Sequence, residues 1–115
     1  MNIAVSQAQG NVPVTVIKLD GQLDGQNYQE LISKSQELYK AGAHDFLLDL
    51  SELTYISSAG LRVIMLAGKR LSNTNGKVVL CSLKEPVREV FDIAGFSDIF
   101  SIYGSHDEAT KDLQA

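Results

Sequence analysis

The sequence predicts an α/β fold, a mixed and mostly parallel β-sheet packed with about four α-helices. Three observations carry this. Turn signals punctuate the chain at regular intervals. Between them, segments of strand-like pattern take turns with segments of helical period. No repeat, low-complexity tract or linker interrupts the series. With 115 residues the chain has the usual size of one domain, so residues 1–115 are expected to form a single one with its own core.

Ile3 to Gln7 is a weakly signalled first strand. Val12 to Leu19 is a stronger one: Val12, Val14 and Val16 fall on one face, Thr15, Ile17 and Leu19 on the other. Pro13 has no N–H to give a ladder, so this strand is expected to begin at an edge or after Pro13. A turn is expected at Asp20-Gly21. Asn27 to Ala41 is a helix, with Tyr28, Leu31, Ile32, Ser35 and Leu38 at helical spacing and Gly42 as its C-terminal cap. Phe46 to Leu50 is a short apolar strand, expected to be buried on both faces, with Asp49 near a strand end.

Ser58 to Ser72 is the next helix. Leu61, Ile64, Met65 and Leu71 form one stripe, widened by Val63, Leu66 and Ala67. A helix apolar over so much of its girth packs on more than one side or offers a face to a partner. A turn at 73–76 leads to a strand over Lys77 to Leu83. Pro86 suits the first turn of a helix that carries Val87, Val90, Phe91 and Ala94 inward and closes at Gly95. Ile99 to Tyr103 is the last strand. Ser105 and Glu108 read as a capping box for a terminal helix held by Ala109 and Leu113. The opening strand pair accounts for an antiparallel addition to an otherwise parallel sheet.

Composition narrows the function. The formal net charge is −4, which attracts neither nucleic acid nor anionic lipid. A lone cysteine, Cys81, fits a reducing compartment, and its apolar strand makes it a small buried hydrophobe. The N-terminus lacks a basic region followed by a long apolar one, and no apolar run approaches the roughly 20 residues of a membrane span. A cytoplasmic protein without a membrane segment is expected. His44 and His106 have no His or Cys at ligand spacing, so neither a metal nor another cofactor is expected, and both read as solvated surface residues. A Gly-rich phosphate loop and a G-x-S-x-G elbow are both missing, and the segment after Tyr103 offers no lysine for a receiver domain.

The segment that stands out runs from Leu48 through Tyr55, Ser57, Ser58, Ala59 and Gly60 to Arg62. A buried strand leads through a short loop into a helix with two serines at its entry. Serine there is a preferred N-cap, and Gly60 permits close packing. The same place suits a phosphate, because a helix N-terminus presents unpaired N–H groups and a positive pole.

The pattern D-L-S-x-L-x-Y-I-S-S-A-G-L-R resembles the signature of STAS-domain anti-sigma factor antagonists. Leu19 to Asp24 is similar to the family's L-x-G-x-L-D turn, and Val90 to Phe96 to its apolar helix ending in Gly. The likeness covers nearly the whole chain and implies the STAS fold. It further implies a regulator of transcription rather than an enzyme. Such a protein binds an anti-sigma factor, often a GHKL-type serine kinase, which inactivates it by phosphorylating a serine at this helix start. A PP2C-type phosphatase reverses the change. The better-known family form is D-S-S-G-L. Here Ala59 stands at the usual acceptor and Ser57 at the acid. Ser58 is therefore the first choice as acceptor and Ser57 the second. Asp24 matches an acidic residue near that serine and reads equally as a turn residue. Ala59, Gly60, Tyr55, Leu61, Arg62 and Met65 are placed on or under the partner surface. A monomer is the default. Three alternatives stay open: a STAS module sensing a nucleotide or other small ligand, a partner switch on a target other than a sigma factor, and a small phosphocarrier that would use His44 or His106.

Overall fold

The structure is a computed structural model that describes residues 1–8, 10–72, 76–96 and 100–114, apart from the side chains of 71 and 72. Among them the elements follow in the expected order: β1 (Asn2–Ala8), β2 (Val14–Leu23), α1 (Tyr28–Lys40), β3 (Asp45–Ile56), α2 (Ser58–Ser72), β4 (Lys77–Cys81), α3 (Glu85–Ile93), β5 (Ser101–Tyr103) and α4 (His106–Gln114). The sheet order is β1-β2-β3-β4-β5. β1 runs antiparallel to β2, and every other pair is parallel.

Two cores flank the sheet. On one face Ile17, Leu19, Phe46, Leu48 and Leu80 pack against Leu31 of α1, Leu61 and Ile64 of α2, and Val87 and Phe91 of α3. On the other, Val14, Val16, Leu47, Val79 and Cys81 meet Ala109 and Leu113 of α4. The alternation expected for β2 thus divides its side chains between the two cores. Helices α1, α2 and α3 cover one face, and the more polar α4 covers the other.

Helix ends follow the local chemistry. Gly42, at φ 107°, ends α1. The Gly42 N–H bonds the Tyr39 carbonyl and the Ala43 N–H that of Leu38, which is the Schellman arrangement. Gly95, at φ 78°, closes α3 in the same left-handed region, and Pro86 lies in that helix's first turn. The Ser105 hydroxyl accepts from the Glu108 N–H at 3.2 Å and so caps α4.

Several expectations are corrected. Asp20-Gly21 is not a turn: β2 continues to Leu23, because Gly21 at φ 110° bends the strand without ending it. β3 does not stop at Leu50 but runs on to Ile56, paired with β2 alone beyond Asp49. Asp49 is therefore mid-strand. β4 ends at Cys81, two residues early, because Ser82 turns to φ 62° while its N–H bonds the Tyr103 carbonyl. Ala94 is the C-cap of α3 and exposed, not inward. His106 is half-buried, with Nδ1 3.3 Å from the Thr110 hydroxyl, whereas His44 is exposed and meets the Tyr39 ring edge-on. The turn expected at 73–76 lies, except for Gly76, outside the described residues, as do Ile99 and the Leu71 side chain.

The long β3 is held in register by two bulges. Lys18 pairs with Asp49 but Asp20 with Glu52; Gly21 pairs with Leu53 but Gln22 with Tyr55. Each step gives β3 one residue more than β2. The core-facing residues accordingly change spacing from 46, 48, 50 to 50, 53, 56, and all five join the same core. Asp49 serves the first bulge: its carboxylate accepts the Ser51 N–H at 3.0 Å. Thr54 serves the second, donating its hydroxyl to the Gly21 carbonyl at 3.0 Å.

Candidate functional site at the entry of helix α2

The second bulge sets where the strand delivers its two serines. Ile56 is the last residue of β3 and α2 begins at Ser58, so Ser57 alone separates them. This replaces the short loop expected there. The Ser57 N–H bonds the Leu23 carbonyl at 2.9 Å, which ties the helix entry to the end of β2. Asp24 is thereby brought beside the serines.

Ser57 and Ser58 have different jobs. The Ser57 side-chain oxygen accepts the Gly60 N–H at 3.2 Å, and its carbonyl accepts the Leu61 N–H at 3.0 Å. Ser57 is the N-cap. Ser58 is the first helical residue and exposed, and its hydroxyl makes no bond to another described residue. The N–H groups of Ser58 and Ala59 also lack a partner among the described residues. They are the orphan donors left at a helix start. Arg62 lies one turn on from Ser58, exposed and without an ion pair to a described residue. An anion at Ser58 would meet two free amides, a helix pole and a guanidinium.

The structural role of Ser57 makes a testable difference. Ser57→Ala removes a cap and is expected to cost about 1 kcal/mol, whereas Ser58→Ala is expected to stay within about 0.5 kcal/mol of wild type. Urea unfolding of the two variants checks this.

Gly60 and Leu61 lie under the surface. A Cβ on Gly60 would stand 2.9 Å from Ile56 Cγ1, from Leu23 Cγ and from the Leu23 carbonyl oxygen. Leu61 is 8% exposed and belongs to the core, and Met65 is half-buried against it. Tyr55, by contrast, is 50% exposed. The accessible members of the predicted set are thus Tyr55, Ser58, Arg62, parts of Ser57, Ala59 and Met65, and the loop at Asp24. The Asp24 carboxylate accepts the Gln26 N–H at 2.9 Å, so Asp24 is a turn residue there.

Asn27, read from the sequence only as a helix start, has a further role at the site. Its amide donates to the Gln22 carbonyl at 2.7 Å and its Oδ1 accepts the Asp24 N–H at 2.9 Å, clasping the loop next to the serines. The signal was the polar D-G-Q-N run before α1. The bulges also had a signal, the change from twofold to threefold apolar spacing after Leu50.

Other chemistry is sparse. Burial pushes the Cys81 thiol up; the Ser82 hydroxyl offsets part of this, and the Asp49 carboxylate adds to it. A thiol so placed is a poor nucleophile. No group of three or more His, Cys, Asp or Glu among the described residues is arranged to hold a metal. None of the described helices is long and apolar enough to cross a membrane.

A family model described as STAS domain matches residues 5–109. A protein of Bordetella bronchiseptica named as a candidate anti-sigma factor antagonist, BtrV, is 43% identical over 91 residues, 79% of this chain and 78% of that protein. An anti-sigma F factor antagonist of Paenibacillus polymyxa is 26% identical over 102 residues, 88% of this chain and 87% of that one. Among solved structures, the anti-sigma factor antagonist SpoIIAA in its unphosphorylated form superposes with a TM-score of 0.82 at 18% identity, over 98% of this chain and 96% of that one. Its phosphorylated Bacillus form gives 0.71 at 18% identity, over 96% and 99%. With the family model spanning most of the chain and a relative at 43% identity, the chain belongs to the STAS-domain family of anti-sigma factor antagonists.

Proposed function

We propose that this chain works by partner switching in the cytoplasm: as a monomer it binds an anti-sigma factor that is also a GHKL-type serine kinase, and phosphate on Ser58 ends that binding. Its family is one of regulatory binding proteins. The observation that carries the reading is the division of labour between the serines. Ser57 spends its hydroxyl on the cap, and Ser58 offers its own to solvent.

The physics of the switch is local. A phosphoserine adds about −1.5 to −2 charges. At the first helical position that charge is tolerated by the fold, since the free amides, the helix pole and Arg62 all favour it. The backbone has no reason to rearrange. What changes is the surface: a dianion stands where a partner had closed over a small hydroxyl. Desolvating it without a matched cation costs several kcal/mol. A PP2C-type phosphatase, by removing the phosphate, restores the binding surface. The chain accepts phosphate and performs no catalysis. Tyr55 and Arg62 supply exposed contacts near Ser58, and Asp24, in the loop that Asn27 clasps, has a supporting role.

Phosphopeptide mass spectrometry on protein isolated from its native cells tests the acceptor. The tryptic peptide 41–62 is expected to carry phosphate on Ser58. Phosphate confined to Ser57, or a well-covered peptide that stays unmodified under every growth condition, would overturn the assignment.

A further inference from the structure

Leu66 lies in the middle of α2 and is 56% exposed. It is one wall of a half-open cavity of about 450 Å³ between α1 and α2. Ile32 and Tyr39 of α1 face it, and Phe46, Leu48 and Val78 of the sheet form the floor. A volume of this size falls in the range of small-molecule sites, and the apolar lining matches them too. No Asp or Glu lines it. Two cations do, Lys40 and Arg70, and neither has an ion pair or hydrogen bond to another described residue.

From this apolar cleft with free cations on its rim we infer that the α1–α2 groove binds a monoanionic amphiphile, a carboxylate on a long alkyl body. Lys40 and Arg70 lie at the carboxyl ends of their helices, where cations commonly offset the negative pole. That duty alone does not require their side chains to line an apolar groove. The same negative poles set the charge of the ligand: they disfavour a dianion such as phosphate and leave a single carboxylate as the match. A nucleotide fits poorly. The Ser35 hydroxyl is already donated to the Leu31 carbonyl at 2.8 Å, which leaves Gln36 and Tyr39 as the neutral polar side chains of the lining to read a base or sugar. The inference stands apart from the phosphate switch and does not need it.

The test is a titration of the isotope-labelled full chain with sodium decanoate below its micellar range, followed by amide NMR. Decanol and decyltrimethylammonium are run in parallel. Saturable shifts confined to α1, α2, the Phe46–Leu48 stretch and the adjoining Ile17 and Val78 are expected. Affinity is expected to fall at least tenfold for decanol, and further for the cationic analogue. Lys40→Glu combined with Arg70→Glu changes only exposed side chains, and its own spectrum reports whether the fold is kept. That protein is expected to bind decanoate at least tenfold more weakly. The absence of saturable shifts, shifts spread over the whole chain, decanol bound as tightly as decanoate, or undiminished binding by the folded double variant would each overturn the inference.

Discussion

Ser58→Glu is expected to weaken binding of the cognate anti-sigma factor by at least about a hundredfold, while the melting temperature stays level or rises slightly. The two halves have separate causes. For the fold, a carboxylate in the first turn of α2 faces the positive helix pole, worth about 0.3–1 kcal/mol in favour. Ser58 makes no side-chain bond that the substitution could break. For the complex, the proposed switch requires a fixed charge to be desolvated within the contact. A cost of about 3 kcal/mol, ordinary for an unpaired charge in an interface, corresponds to more than a hundredfold. Ser58→Ala serves as the control, since it should bind like wild type and no longer respond to the kinase. Isothermal titration calorimetry on the three proteins decides it. Binding of the Glu variant within a few-fold of wild type would remove Ser58 from the interface.

Gly60→Val carries the largest expected effect on stability, a loss of about 3 kcal/mol. In an exposed helix, replacing glycine usually helps, by up to about 1 kcal/mol. Here the added carbon would come to 2.9 Å from three atoms of Ile56 and Leu23, one of them a backbone oxygen that cannot swing aside. That oxygen belongs to the residue whose carbonyl also holds the Ser57 N–H. Relief of the clash would therefore push α2 away from the end of β2 and loosen the serine pair. Overpacking of this kind costs about 1–3 kcal/mol and occasionally more, and a β-branched side chain adds a helix penalty. Thermal unfolding should show a drop on the order of 10 °C for a domain of this size. A melting temperature at or above that of wild type would mean that α2 can move out freely and that Gly60 is no packing requirement. Partner binding by Gly60→Val, measured below its transition, should fall as well, because the same displacement moves Ser58.

Much of this was legible in the residues. The order of strands and helices followed from apolar period and turn chemistry, which are local. Gly42, Gly95, Pro86 and Ser105 each announce a helix end through a backbone conformation or a hydrogen bond completed within a few residues. The division of β2 between two cores was legible too, because strand side chains alternate whatever the neighbours are.

The errors have a common origin. Asp20-Gly21 has the local composition of a turn, yet β3 supplies hydrogen bonds along Gly21 to Leu23 and carries the strand through. Leu50 reads as the end of β3 because the apolar alternation fails there; two bulges restore it three residues at a time, and a bulge is defined only against a partner strand. The short end of β4 depends on the Tyr103 carbonyl, more than twenty residues away in sequence.

The serine pair divides along the same line. By itself the sequence determined the fold class, the helix entry and the candidacy of both Ser57 and Ser58, since a serine before an apolar helix is a cap or an acceptor on local grounds alone. The family resemblance already ranked Ser58 above Ser57; the tertiary structure supplies the physical reason. The Leu23 carbonyl, from the end of another strand, fixes the Ser57 N–H and turns its hydroxyl onto the helix as the cap, leaving Ser58 as the free one. It likewise decided that Leu61 is core and Leu66 is surface, because burial depends on which helix lies opposite, and a helical stripe read in isolation has no opposite.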